Sequence, residues 1–407
     1  MSDERAGSAP SARRSGERIR VLRVIARLNV GGPAIHVSLL NAGLDPSRFD
    51  CRLVSGSENP GEGTMIEYAR ARGVEPIVVP EMLGQAVLAP RDFVALRKLL
   101  RIVRSFRPHI VHTHTAKAGF LGRLAARLAG VPVVLHTYHG HVLYGYYSPL
   151  KSQALGRMEQ VLGWMSDCLV AVSDRVRDDL VTYGVARRER IRVIPLGLDL
   201  DPFLAAETHR GEFRREIGLD ASHHLIGIVG RIFPIKNHRL FLDAAARVTA
   251  QDAAARFVIV GDGQLRPEME DHARALGLAP RVVFTGWRQD LARIYADLDL
   301  LVVSSDNEGT PVSAIEAMAA GRAVVATRVG GLADLVADGS TGCLVPPRDA
   351  GALAAAIAGL LADPAARERM GREARLAASG RYRAERLVAD VAQLYEELLA
   401  VKRVELA

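Results

Sequence analysis

Residues 300–327 read LLVVSSDNEGTPVSAIEAMAAGRAVVAT. The apolar run 300–303 is short enough for a buried strand. A polar loop follows it, then a helical pattern, then the β-branched run 323–327. Strand, loop, helix and strand in that order form the βαβ unit of a parallel sheet. Thr310 suits an N-cap and Pro311 a first helical position, so the spacing predicts a helix over 311–320. The backbone at 308–311 then leads into a helix N-terminus, whose free N–H groups attract an anion.

The same alternation extends in both directions. Upstream, strands are expected near 20–26, 51–55, 76–79, 109–112, 132–136, 168–172 and 191–194. Helical patterns fall near 34–44, 64–72, 91–106, 117–129, 152–165 and 174–182. The stretch 194–203, IPLGLDLDPF, carries two prolines and a glycine and reads as a linker. A second series has strands near 225–229, 256–260, 281–284, 299–303, 323–327 and 343–345. Its helices fall near 237–250, 265–277, 289–296, 311–320, 350–361, 364–377 and 383–404. This predicts an α/β chain: a disordered tail over 1–17, a Rossmann-like domain over 18–195, a second over 196–382, and a last helix over 383–407. Two such halves place a ligand in the cleft between them, at strand C-terminal ends.

Composition narrows the function classes. Of 407 residues, 49% are hydrophobic and 24% charged, which excludes a fibrous or disordered chain. The net charge of +7 is uneven: residues 1–200 hold 28 Lys and Arg against 18 Asp and Glu, whereas 201–407 hold 25 against 28. A basic half suits nucleic acid, an anionic membrane or a phosphate-bearing substrate. Only five of the 53 basic residues are Lys. Cys51, Cys168 and Cys343 are too few and too scattered for a disulfide framework or a structural zinc, so a reducing cytoplasm is expected. The first 18 residues lack an apolar core, so neither a signal peptide nor an anchor is expected there. The 128–150 stretch is free of charged residues but holds His, Pro and Gly, and 350–362 is too short to span a bilayer.

Several residues are chemical candidates. Glu308 and Glu316 bracket the loop and helix above. Carboxylates repel phosphate, so they suit ribose or sugar hydroxyls; in isolation, such a pair reads more readily as solvated charge. Arg231 and Lys236 follow the strand at 225–229 directly and can reach a diphosphate at its end. In a chain that writes nearly every cation as Arg, Lys236 suggests a compact ammonium at a chosen place. Gly31 and Gly32 follow the first strand, where backbone can approach a phosphate, although a tight turn explains them equally. Six of the twelve histidines (His109, His112, His114, His136, His139 and His141) lie within 33 residues. With no H-E-x-x-H and no carboxylate set beside them, one acid/base or hydrogen-bonding His is the better reading than a metal centre. Asp297-Leu-Asp299 and Asp199-Leu-Asp201 match a metal-binding D-x-D but read as structural capping. The helix pattern 92–107 carries Phe93, Leu96, Leu99, Leu100, Val103 and Phe106 on an apolar side, and Arg97, Lys98, Arg101 and Arg104 on a basic one. It suits either a core-packed helix or an anionic lipid surface. Tyr144, Tyr146 and Tyr147 cluster after His141.

In order and spacing these motifs resemble the retaining GT-B glycosyltransferases of family 4. The carrying text is NVGGPAIH at 29–36, HTHTAKAGFLGRLAA at 112–126, HTYHGH at 136–141, AVSD at 171–174, PLGLD at 195–199, GRIFPIK at 230–236, VIVGDG at 258–263, EGTPVSAIEAMAAG at 308–321 and VGGLADLV at 329–336. The resemblance implies that Arg231 and Lys236 bind the donor diphosphate, Glu316 the ribose and Glu308 the donor sugar. It implies that the backbone of Gly31, Gly32, Gly309, Thr310, Pro311 and Val312 supports sugar and phosphates, and that His139 lies by the reacting sugar. It implies front-face transfer from a nucleotide-sugar, UDP-linked by family habit, with no metal or other cofactor. Exopolysaccharide, capsule and O-antigen enzymes look similar, and their acceptors are polyprenyl-diphosphate sugars. That suits the basic first half, a peripheral place at the inner face of the membrane, and no nucleic acid. Ala323 departs from the Pro common in relatives. The rival readings are a UDP-sugar 2-epimerase of the same architecture and a non-catalytic nucleotide-sugar-binding protein.

Overall fold

The structure, a computed structural model, describes residues 17–58, 63–83, 89–140 and 149–404, with the side chains of 149–155 left aside. The tail up to residue 16, His141 and the Tyr144, Tyr146 and Tyr147 cluster lie outside the described residues.

Seven strands form one parallel sheet: β1 (Ile19–Ile25), β2 (Phe49–Ser55), β3 (Ile77–Val78), β4 (Ile110–His114), β5 (Val133–Tyr138), β6 (Cys168–Ala171) and β7 (Ile191–Val193), in the order β3-β2-β1-β4-β5-β6-β7. Six more form a second: β8 (His224–Val229), β9 (Ala255–Val260), β10 (Val282–Gly286), β11 (Leu300–Val303), β12 (Ala323–Thr327) and β13 (Gly342–Val345), in the order β10-β9-β8-β11-β12-β13. Both are doubly wound Rossmann-like sheets, as expected for GT-B. Helices cover both faces, so β4, β5, β11 and β12 are buried along their whole length, and their apolar runs are continuous rather than alternating. The strand order reverses between β1 and β4 in the first sheet and between β8 and β11 in the second, and a crevice opens at each reversal. The three cysteines are free.

The helix Ala384–Val401 returns to the first sheet. Its Leu387, Val391, Leu394, Tyr395 and Leu399 are buried in one cluster with Ile19, Val21, Phe49 and Val170. A Cβ on Gly43 would lie 2.6 Å from Val388 Cγ2, so the helix Gly32–Gly43 can approach this closely only with glycine there. The stretch 194–203 departs from a free linker. The Leu198 N–H donates to Tyr382 O at 2.8 Å and the Ala384 N–H to Leu198 O at 3.0 Å. Arg386 donates to the carbonyls of Pro195 and Leu196 at 2.9 and 2.6 Å. Asp201–Leu204 is itself a helical turn. The two chain crossings between the sheets are thus tied to each other.

The helix Pro90–Phe106 buries Ala95, Leu99, Val103 and Phe106. Phe93, expected on the apolar side, is instead 70% exposed. At 100° per residue it lies in line with Arg97, Arg101 and Arg104, all exposed. Asp92 turns inward, accepts from the Ala89 N–H at 2.9 Å and pairs with buried Lys117 at 2.9 Å. Among the described residues no single helix is long and apolar enough to cross a membrane.

Leu387 is fully buried against Gly197 at the crossing. Leu387→Ala is expected to lower stability by about 2–5 kcal/mol through lost burial and a residual cavity. Urea unfolding measures this, and an unchanged midpoint would contradict the docking of the last helix.

Candidate active site

The loops at the two reversals face each other. After β8 the chain runs through Arg231 to Lys236, and after β11 through Ser304 to Glu308. The Lys236 ammonium donates to Glu308 Oε1 at 2.5 Å, and Ser305 Oγ donates to the same oxygen at 2.6 Å. The Glu308 side chain is only 9% exposed, and Lys236 keeps 29%. The guanidinium of Arg231 lies over the Phe233 ring at 4.7 Å. Arg231, Lys236, Glu308 and Gly309 line one wall of a cavity of about 340 Å³; His139, Gly140, Thr115, Tyr138 and Glu159 from the first lobe line another.

Backbone contact closes the seam. A Cβ on Gly309 would sit 2.0 Å from the His139 carbonyl oxygen and 3.0 Å from Gly140 Cα. A Cβ on Gly32 would sit 2.9 Å from Val312 Cγ2, which brings Gly32 to the helix Val312–Ala319. Gly31 is the residue before the helix Gly32–Gly43. Gly31, Gly32, Thr310, Pro311, Val312 and Glu316 stand beside the cavity without lining it.

The loop after β11 differs in one respect from its sequence reading. Thr310 does not cap the helix and Pro311 is not its first residue. Pro311 is extended, at φ −74 and ψ 119, and itself stands at the N-cap position. It has no N–H to receive a cap from Thr310. Thr310 Oγ1 is buried without a hydrogen-bond partner among the described residues. The helix N-terminus still opens towards the seam, one residue later.

Glu316 is 7% exposed and accepts from the Tyr295 hydroxyl at 2.9 Å. Burial pushes its carboxyl up to about 7, and the tyrosine bond offsets this only in part.

The histidines separate by strand register. Alternate residues of β4 point to opposite faces. His112 contacts Tyr395 Oη at 2.7 Å and Thr137 Oγ1 at 2.7 Å. Thr113, on the other face, bonds His136 Nδ1 at 2.8 Å and donates to Leu135 O at 3.1 Å. His109 is held by Arg20 at 3.1 and 2.9 Å. These three are satisfied structural residues. His139 meets His114, Nε2 to Nδ1, at 3.1 Å, and the His36 ring stands 4.7 Å from that of His139. Burial pushes His139 down to about 3, and keeps His36 and His114 well below the ordinary histidine value. Among the described residues, His36, His114 and His139 are the group whose ligand atoms lie close enough to share a metal ion.

Asp297 accepts from the N–H groups of Gly211 and Arg214 at 2.5 and 2.8 Å, capping a short helix. Asp299 accepts from the Leu225 N–H at 2.8 Å and from Arg214 at 2.7 Å. Both lie at the start of β11, the end away from the cavity. Asp199 pairs with Arg72 and Asp201 with Arg383.

Sequence reasoning missed four residues. His36 carries no spacing signal with His114. Glu159 looks like any acidic helix residue, yet it is buried beside the cavity, where the Tyr138 hydroxyl donates to it at 2.6 Å and Arg123 at 3.1 Å. Thr115, at φ 67, holds a conformation rare for a β-branched residue; its Oγ1 accepts from the Ala26 N–H at 3.2 Å and ties β1 to β4 at the reversal.

Comparison with known proteins agrees with this geometry. The profile of Glycosyltransferase Family 4 matches residues 30–202, and that of Glycosyl transferases group 1 matches 223–363. The chain is 30% identical over 318 residues to the UDP-Gal:alpha-D-GlcNAc-diphosphoundecaprenol alpha-1,3-galactosyltransferase of Escherichia coli, covering 77% of this chain and 80% of that one. It is 30% identical over 312 residues to the alpha-D-kanosaminyltransferase of Streptomyces kanamyceticus, covering 74% and 80%. In fold it matches Anabaena HepE solved with UDP-glucose, at a TM-score of 0.80 and 23% identity, over 93% of this chain and all of that one. Two facing Rossmann-like sheets, both halves of the family profile and these whole-length relatives lead to one assignment: the chain belongs to the family 4 glycosyltransferases, of GT-B fold.

Proposed function

We propose that this glycosyltransferase moves a sugar, with retention of anomeric configuration and without a metal, from a UDP-sugar to a polyprenyl-diphosphate-linked glycan in bacterial surface-polysaccharide synthesis. The observation that carries the reading is the Lys236–Glu308 pair beside Arg231, facing His139 across one cavity. The donor and acceptor classes rest on the Escherichia coli relative.

In this reading Arg231 and Lys236 take the donor diphosphate, Glu308 a sugar hydroxyl and Glu316 the ribose, while the backbone of Gly31, Gly32 and 309–312 borders sugar and phosphates. The bond from the anomeric carbon to the diphosphate oxygen breaks as an acceptor hydroxyl approaches from the same face. The acceptor proton leaves with the departing phosphate. Negative charge grows on that phosphate, and each fixed cation aimed at it contributes about 3–4 kcal/mol to the transition state. The neutral imidazole of His139 offers a hydrogen bond to the sugar without adding positive charge where the sugar itself turns cationic. A lipid-linked acceptor places the reaction at the cytoplasmic face of the membrane. There the exposed stripe of Phe93, Arg97, Arg101 and Arg104 supplies an aromatic and three cations.

Incubation with UDP-sugars and polyprenyl-diphosphate-linked acceptors is expected to yield UDP and an elongated lipid whose new linkage keeps the donor's configuration, equally well with EDTA present. Lys236→Ala and Glu308→Ala each lower turnover about a hundredfold or more. Epimerised donor without transfer supports the 2-epimerase reading instead, and binding without turnover a sensor.

Glu316 generates a pH dependence. Its pKa is raised on folding, from an ordinary 4.5 to about 7, so between these values the folded state binds more protons than the unfolded one. The stability of the nucleotide-free protein therefore falls as pH rises through this window. Glu316→Gln removes that component. Urea unfolding at pH 4.5 and pH 8 is expected to show wild type losing about 3 kcal/mol more than the variant. The same substitution weakens UDP binding about tenfold, because a charged acceptor of the ribose hydroxyls is lost.

Replacing Arg97, Lys98, Arg101 and Arg104 by Gln is expected to reduce sedimentation with anionic vesicles and leave neutral vesicles unaffected. Equal binding by wild type and variant removes this helix from the membrane contact.

A further inference from the structure

We propose that His36, His114 and His139 form a transition-metal site, and that Zn²⁺ bound there inhibits transfer. Three separate elements supply the ligands. His36 comes from the helix Gly32–Gly43, His114 ends β4, and His139 follows β5 directly. One ring nitrogen from each lies within 4.8 Å of the others. Tetrahedral zinc with bonds of about 2.0–2.1 Å spaces its ligand nitrogens by roughly 3.3 Å. His114 Nδ1 and His139 Nε2, at 3.1 Å, already have that spacing. His36 closes the site by a shift on the order of an ångström.

The polar atoms of this cluster are short of partners. Both ring nitrogens of His36, Nε2 of His114 and Nδ1 of His139 are buried with no hydrogen-bond partner among the described residues. His112 and His136 next to them are fully bonded, so the shortage is particular to these three rings. An ion between His114 Nδ1 and His139 Nε2 uses one lone pair from each. Burial keeps all three imidazoles neutral, the form that ligates. Three imidazoles without a carboxylate select Zn²⁺, Co²⁺ or Ni²⁺ over Mg²⁺ and Ca²⁺. His139 borders the cavity, so the ion enters from the cleft and its fourth position faces the substrate side. Arg23, buried nearby, opposes a second positive charge, and the outer N–H groups lack acceptors. Both features make the ion exchangeable rather than structural.

The inhibitory half rests on the transfer reading. There His139 lies beside a sugar that turns positive in the transition state, and a divalent cation at the same place raises that barrier.

The test uses the full-length protein after dialysis against a chelator. Calorimetry with Zn²⁺ and visible absorption with Co²⁺ are expected to show one ion per chain, in tetrahedral geometry, and no heat with Mg²⁺. His36→Gln and His114→Asn, checked for an unchanged melting curve, each weaken binding at least about tenfold; His209→Ala, away from the site, leaves it as in wild type. No binding at about a tenfold excess of Zn²⁺, or equal binding by the His36 and His114 variants, overturns the site. In the transfer assay Zn²⁺ lowers turnover of wild type, EDTA restores it, and His36→Gln is less sensitive. Full turnover of the zinc-loaded protein overturns the inhibitory half. Absence of transfer with every donor refutes the function reading, and calorimetry then still decides the site.

Discussion

In a parallel sheet every strand ends on the same edge, and the crossovers must leave to one face or the other. Where the two directions of winding part, no helix covers the strand ends. This chain has two such places, between β1 and β4 and between β8 and β11, and they face each other. The loops that carry the candidate chemistry are those that follow these strands and β5. Residues far apart in sequence, such as His139 and Glu308, meet because both edges open into one cavity. The seam is narrow at backbone level. Gly309 lies against the His139 carbonyl, and Gly331 against the Gly309 carbonyl, at distances that leave no room for a Cβ. Side chains at these positions would hold the lobes apart, so the glycines serve contact between loops more than flexibility.

The electrostatics divide along the same seam. The second lobe presents Lys236 and Arg231, with Glu308 holding the ammonium before any ligand arrives. The first lobe presents imidazoles that burial keeps neutral, backed by Arg23, which is fully buried with Tyr395 and Asn41 as hydrogen-bond partners. A buried guanidinium beside a row of histidines disfavours protonation of each of them. The excess positive charge of residues 1–200 therefore lies on the outside of that lobe, in the arginine stripe of Pro90–Phe106, and not in its part of the cavity. The near absence of Lys from the second half singles out Lys236, and the structure gives that residue the ion pair at the cavity wall.

Most of this fold was legible because parallel strands buried on both faces write themselves as short apolar runs, and each of the thirteen expected strands is present. What was hidden depended on direction rather than type. Phe93 satisfies a loose apolar pattern, but four- and eleven-residue steps put it with Arg97 and Arg104 on the solvent side. Thr310 and Pro311 have the composition of a helix start, yet the extended ψ of Pro311 moves that start to Val312. Lys236, Arg231 and Glu308 were legible because each stands directly after a strand. His36 and Glu159 were not, since their partners (His114 and His139 for one, Tyr138 and Arg123 for the other) come from elements whose register no local pattern reveals.

The last helix gives this arrangement a further consequence. Tyr395 bonds both Arg23 and His112, and His112 bonds Thr137, which lines the cavity. The helix that bears Tyr395 begins at the second crossing, where Leu198 and Arg386 bind the two strands of the hinge together. Any rotation of one lobe against the other must bend both crossings at once. The helix Ala384–Val401, packed on the first sheet, stays with that lobe, so Tyr395 keeps its hold on His112 while the seam between Gly140 and Gly309 opens. The histidine wall is thus fixed to the first lobe by a residue from the far end of the chain, and domain motion changes its distance from Lys236 and Glu308 without disturbing its internal hydrogen bonds.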